Sequence, residues 1–174
     1  MKKLILVLGT GIFISSSAFS QKNVFSVGIG PSLGIPVSNK NFSYYYKNGI
    51  GGSLQANFGL TKLGSVTANV LFVSIGAKNL PITSKNSLTL IKVGYRTNFS
   101  DSRFFVSADG GLANYLKGSK YFVVAATVGY SFKISKGSYI DLFPSYTHIL
   151  RTPSNSIWLT ANVLYRLNIK KKNK

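Results

Sequence analysis

The chain has no cysteine and no glutamate, and its 174 residues include a single histidine, a single methionine and a single tryptophan. Without cysteine there is no disulfide framework, no thiolate metal site and no cysteine-linked lipid anchor. Asp101, Asp109 and Asp141 are the whole acidic complement. A Ser/His/acid relay needs a histidine oriented between a nucleophile and an acid. His148 falls on the apolar face of its segment, with Tyr146 and Leu150 as its neighbours on that face. One histidine without Cys or Glu is also a poor metal-ligand set. The glycine-rich stretch Gly28 to Gly34 has no helix after it, so it is not a phosphate loop. The sequence therefore reads as non-enzymatic, with no cofactor and no metal.

Long apolar runs are missing as well. After residue 20 nothing approaches the roughly 18 consecutive apolar residues of a membrane helix, although 45% of the chain is hydrophobic. The first twenty residues are different in kind. Lys2 and Lys3 precede an apolar run, Leu4 to Ile14, broken only by Gly9, Thr10 and Gly11. Ser15 to Ser20 then supplies a small-residue cleavage region with Ala18 and Ser20 at the −3 and −1 positions. This is the pattern of a cleaved secretory signal over residues 1–20.

What is present is alternation. In Ser156 to Ile169, the residues Ile157, Leu159, Ala161, Val163, Tyr165, Leu167 and Ile169 form one apolar list. Trp158, Thr160, Asn162, Leu164, Arg166 and Asn168 form the other, mostly polar one. Period two over this length is a long β-strand, and about ten tilted residues suffice to cross a bilayer. The design recurs, giving eight predicted strands over 24–37, 49–61, 64–77, 87–99, 103–116, 120–133, 139–150 and 156–169. In the third, Leu71, Val73 and Ile75 blur the alternation, which predicts either a bulge or a packed interior.

Eight such strands fit a barrel or a sandwich. Gly, Ser, Thr and Asn dominate the polar faces, as they would in a narrow lumen, whereas a soluble barrel would put its apolar residues inside. The expected fold is all-β: an eight-stranded antiparallel up-and-down transmembrane β-barrel over residues 21–169, followed by a basic periplasmic tail, 170–174. An even strand count puts both ends in the periplasm. The outer loops are then 38–48, 78–86, 117–119 and 151–155, with periplasmic turns near 62, 101 and 136.

With its signal, its glycine-rich first strand VGIGPSLGIP and its eight alternating segments, the chain resembles the small OmpA/OmpX-like outer-membrane β-barrels. The resemblance covers the whole segment after the signal and lies in pattern and length. It implies an outer-membrane location and insertion by the outer-membrane assembly machinery. One departure is the end of the last strand. Such barrels finish on an aromatic residue, whereas here Leu167-Asn168-Ile169 runs into Lys170-Lys171-Lys172-Asn173-Lys174.

The lumen of an eight-stranded barrel is just wide enough for side chains to fill, and buried charges there need partners. The expected register sets Asp109 opposite Gly94 and diagonal to Lys92 and Arg96. Pairing Ile149 with Trp158 sets Asp141 opposite Arg166 and diagonal to Lys133. These six residues form a candidate lumen charge cluster, read as structural ion pairs or as a basic lining that favours anions. Inward Tyr115, Tyr139, Phe143 and Trp158 argue against an open pore. Outward Phe25, Tyr95, Phe99, Phe104, Tyr130, Phe132 and Tyr165 form an interfacial girdle, with Tyr44, Tyr45 and Tyr46 as its upper counterpart or a ligand patch.

Twenty-one Lys and Arg stand against three acids; without Lys2 and Lys3, the 19 remaining bases leave a net charge of +16. Export makes nucleic acid an improbable partner. Lys40, Lys47, Lys78, Lys85, Lys117, Lys120 and Arg151 sit at the outer side with no acid in their loops, positioned for lipopolysaccharide phosphates. The expected role is a structural or interaction barrel with a filled lumen, presenting its outer loops to lipid or to a partner protein. A narrow porin-like channel for small solutes or anions is the alternative.

Overall fold

Alternating side chains force each segment to choose which face meets its neighbours, and all eight choose the same way. In the computed structural model, which describes residues 24–37, 46–61, 63–77, 86–99, 103–115, 119–150 and 156–169, the strands are β1 (Phe25–Pro36), β2 (Tyr46–Gly59), β3 (Gly64–Ala77), β4 (Asn86–Asn98), β5 (Phe104–Tyr115), β6 (Ser119–Ser135), β7 (Ser138–Leu150) and β8 (Ser156–Ile169). Each pairs antiparallel with its successor, and β8 closes on β1, so the sheet is a closed barrel with no edge.

The strand bounds match expectation for β3 and β8 and move by one to three residues elsewhere. The irregularity expected in β3 is not a bulge. Its register with β4 runs unbroken from Gly64↔Thr97 to Ile75↔Asn86. Leu71, Val73 and Ile75 point into the lumen and are at most 1% exposed. The two register shifts lie elsewhere, between Tyr46 and Gly49 in β2 and between Lys133 and Ser135 in β6. The β6–β7 hairpin turns on Gly137, whose φ of 93° is readily adopted only by glycine.

Outside, every strand contributes exposed large apolar side chains, among them Ile50 at 73% and Phe122 at 71%. Water does not support a continuous apolar band of this size on a monomer; hydrocarbon does. The girdle positions lie on this face. Phe104 meets Tyr130 edge-on at 4.7 Å, and Tyr130 packs on Phe132 at 4.6 Å. The buried side chains all point inward, so the core of this protein is its lumen.

Candidate functional site

The lumen has two halves of opposite character. Near the turns that join β2 to β3, β4 to β5 and β6 to β7, it is polar and charged. Asp141 on β7 is fully buried there, between Arg96 on β4 and Arg166 on β8. Its Oδ2 accepts from Arg96 Nη1 and from Arg166 Nε, both at 2.8 Å. Its Oδ1 accepts from Ser131 Oγ at 2.6 Å and Arg166 Nη2 at 3.3 Å. The guanidiniums are held further by Arg96 Nη2 to Ser131 Oγ (2.9 Å), Arg96 Nε to Asn98 Oδ1 (3.3 Å) and Arg166 Nη1 to Asn168 Oδ1 (3.0 Å). Aromatic rings complete the cage: Arg96 lies 3.4 Å over the Phe105 ring and Arg166 4.5 Å over Tyr139.

This arrangement departs from the expected pairings in three ways. The β7–β8 register is slipped by two residues, so that Ile149 pairs with Ser156, Asp141 with Leu164 and Tyr139 with Arg166. A two-residue slip keeps every side chain on its own face, and the long Arg166 side chain still reaches Asp141. Arg96, expected beside Asp109, crosses the lumen to Asp141 instead. Lys133 lies opposite Tyr139, is exposed at the rim and joins neither ion pair.

One layer further in, Asp109 is opposite Gly94 as expected. It accepts from Thr67 Oγ1 and Ser107 Oγ, each at 3.0 Å. Lys92 is buried nearby, and it borders with Asp109, Gln55, Asn69 and Asn162 a void of about 20 Å³, room for about one water. Ser32 Oγ donates to Asn162 Oδ1 at 2.7 Å and Thr127 Oγ1 to Ser145 Oγ at 2.9 Å, so small polar side chains knit the strands across this level.

Towards the long-loop end the lumen is mostly apolar, with only Thr147 and Ser156 as buried polar side chains among the described residues. Small polar residues therefore do not dominate it as they do near the turns. Leu71, Val73, Ile75, Leu88, Leu90, Ala113, Val123, Ile149 and Trp158 form one apolar cluster there, with Tyr121 packed against it. Trp158, the largest of them, is fully buried. The signal was present in the sequence: Val70-Leu71-Phe72-Val73 is apolar on both faces of β3, the mark of a strand with no solvated side. A smaller cluster, Phe105, Phe143 and Leu164, packs beside the arginines, with Phe105 under Arg96.

His148 faces outward between Val124 and Ile157, half-buried, on the opposite face of the sheet from the inward Asp109 and Asp141. Of the seven outer bases, Lys47 and Lys120 are exposed at the long-loop end. Lys40, Lys78, Lys85, Lys117 and Arg151 lie outside the described residues, as do the 1–20 segment, Tyr44, Tyr45, Asp101 and the tail 170–174.

A closed antiparallel eight-stranded barrel, apolar outside and tightly packed inside, defines a class: the small outer-membrane β-barrel. Solved structures of that class superimpose on this chain. Neisserial surface protein A (NspA) matches with a TM-score of 0.63 and 13% identity, covering 83% of this chain and 97% of its own. The attachment invasion locus protein Ail of Yersinia pestis matches with a TM-score of 0.59 and 12% identity, over 84% and 100% respectively. OprG of Pseudomonas aeruginosa gives 0.52 and 8%, over 86% and 95%. At these identities the likeness is one of fold. No protein-family model and no curated protein matches the sequence.

Proposed function

We propose that this protein is an integral outer-membrane barrel that works through its surfaces, as a structural or interaction protein, and neither conducts nor catalyses. The observation that carries the reading is that the lumen is filled towards both ends, by the apolar layer around Trp158 at one and by the Arg96–Asp141–Arg166 cluster at the other. A hydrated path would have to displace both, and the second removes charges from their only strong partner. Residues 1–20 export the chain, the assembly machinery inserts it, and the short basic tail 170–174 stays in the periplasm. At the outer end, Lys47 and Lys120, with Lys40, Lys78, Lys85, Lys117 and Arg151, offer charge-assisted hydrogen bonds to anionic groups such as lipopolysaccharide phosphates. A polyanion is compatible with this fold: Ail has been solved in complex with the heparin analogue sucrose octasulfate.

The test is the conductance of the refolded protein in planar bilayers. Folded protein that gives no discrete current steps is the expected result. Stable, anion-selective steps from the unmodified barrel would replace this reading with a narrow porin-like channel.

A further inference from the structure

Three charges are buried together at the turn end, and they do not cancel. Arg96 and Arg166 are 3% and 7% exposed, and Asp141 between them is fully buried. One carboxylate serves two guanidiniums, and both bond the same oxygen, Oδ2. The remaining acceptors, Asn98, Asn168 and Ser131, are neutral. The cluster therefore carries a net charge of +1 in a place where an unbalanced charge is costly. A void of about 10 Å³ lies against both guanidiniums, bordered also by Ser26, Asn57, Ser65 and Asn98. Around the same end Arg103, Lys133 and Lys136 are exposed, which draws anions toward the mouth.

We infer that this void is a binding site for one small monovalent anion, a halide ion, entering from the turn end of the barrel. Charge sets the sign and valence, since one negative charge neutralises the cluster. Size sets the class: a space of about 10 Å³ is close to that of one water and suits a compact single-atom anion better than a tetrahedral oxyanion. The arginines and the hydroxyls of Ser26 and Ser65 supply donors. The apolar layer above closes the route onward, so the site binds an anion without conducting it.

Ser65 gives a direct test, because it is the cross-strand partner of Arg96. Ser65→Asp places a fixed carboxylate beside the guanidiniums, in the space the anion would take. The full chain, refolded in detergent micelles, is melted in sodium bromide and in sodium gluconate at equal ionic strength, and crystals are soaked in bromide. The expected result is a Tm that rises with bromide but not gluconate, by roughly 3–5 °C per tenfold increase above half-saturation. An anomalous bromide peak touching Arg96 and Arg166 accompanies it. Ser65→Asp folds, loses the peak and melts at the same temperature in both salts. Equal melting of the unmodified protein in the two salts overturns the proposal, with or without a peak; a peak alone means an adventitious ion only. Bromide dependence that survives Ser65→Asp overturns it too, because the ion then binds elsewhere. Ser65→Ala, which removes one donor but adds no charge, weakens the bromide response without abolishing it, whereas aspartate abolishes it through its charge.

Discussion

Asp141 and Asp109 are the two acids inside the barrel, and their surroundings assign them different weights. Asp141 holds two buried guanidiniums, so Asp141→Asn leaves both without a counter-charge. Breaking a buried pair in this way costs about 3–5 kcal/mol. Asp109 accepts from Thr67 and Ser107 and stands near one buried base, Lys92, so Asp109→Asn leaves one charge short of a counter-charge rather than two, at a smaller cost of about 1–3 kcal/mol. Urea unfolding of the two variants in lipid vesicles measures the difference, and equal losses would contradict the assignment. Asp109 stands opposite Gly94 as the sequence placed it, because Phe99 and Phe104 face each other across the β4–β5 connection. That Arg96 turns to Asp141 was not legible, since the two residues lie on strands three apart in the barrel. Strand pairing constrains neighbours; a contact across the lumen depends on side-chain length and on what else fills the space.

At the scale of the strand, periodicity carried most of the fold. Eight alternating segments separated by polar turns gave the strand number, the order and the inward face of each. Their ends were less legible, because pairing with a neighbour extends β2 and β6 into residues whose own pattern is polar. The character of the lumen was half legible. Near the turns the inward positions are Ser, Asn and Thr, as read; near the loops they are Leu, Val and Ile, which a strand-by-strand reading takes as a loss of pattern. Only closure of the barrel shows that these residues from β3, β4, β5, β6, β7 and β8 meet in one layer. Trp158→Ala removes the largest side chain of that layer and is expected to cost about 3–5 kcal/mol by opening a cavity. Gly129 on β6 shows the opposite constraint. A Cβ there would run into the Phe105 ring and Phe143 Cβ, whose rings meet at 5.9 Å. Gly129→Ala is thus an overpacking change, expected to cost about 1–3 kcal/mol. Both losses are read as a lower urea midpoint with the heat-modifiable gel shift of a folded barrel retained; either variant matching the unmodified protein would show that the layer packs more loosely than described.

For the molecule as a whole, charge and hydrophobicity are segregated by position. Among the described residues, apolar side chains form the outer band, the paired and unpaired buried charges are inside, and the exposed bases Lys47, Arg103, Lys120, Lys133 and Lys136 stand at the rims. Such bases act on anionic partners through distance and salt as much as through contact. The proposed surface role then makes a quantitative demand on Lys47 and Lys120, the two outer bases whose exposure is established. They stand on β2 and β6, so they sample different sides of the rim. Each exposed ionic contact is worth about 0.2–1 kcal/mol. The double variant Lys47→Glu/Lys120→Glu should therefore bind a sulfated oligosaccharide or lipopolysaccharide roughly two- to thirtyfold more weakly. Affinity of the unmodified protein should fall as salt is raised, since screening shortens the reach of exposed charges. Trp158→Ala, altered only in the lumen, should bind like the unmodified protein, which separates a surface effect from loss of fold. Titration of all three proteins in detergent at two salt concentrations measures each term. Affinity indifferent to both salt and charge reversal would mean that the basic rim does not recognise polyanions, and the outer surface would have to act through some other feature of its loops.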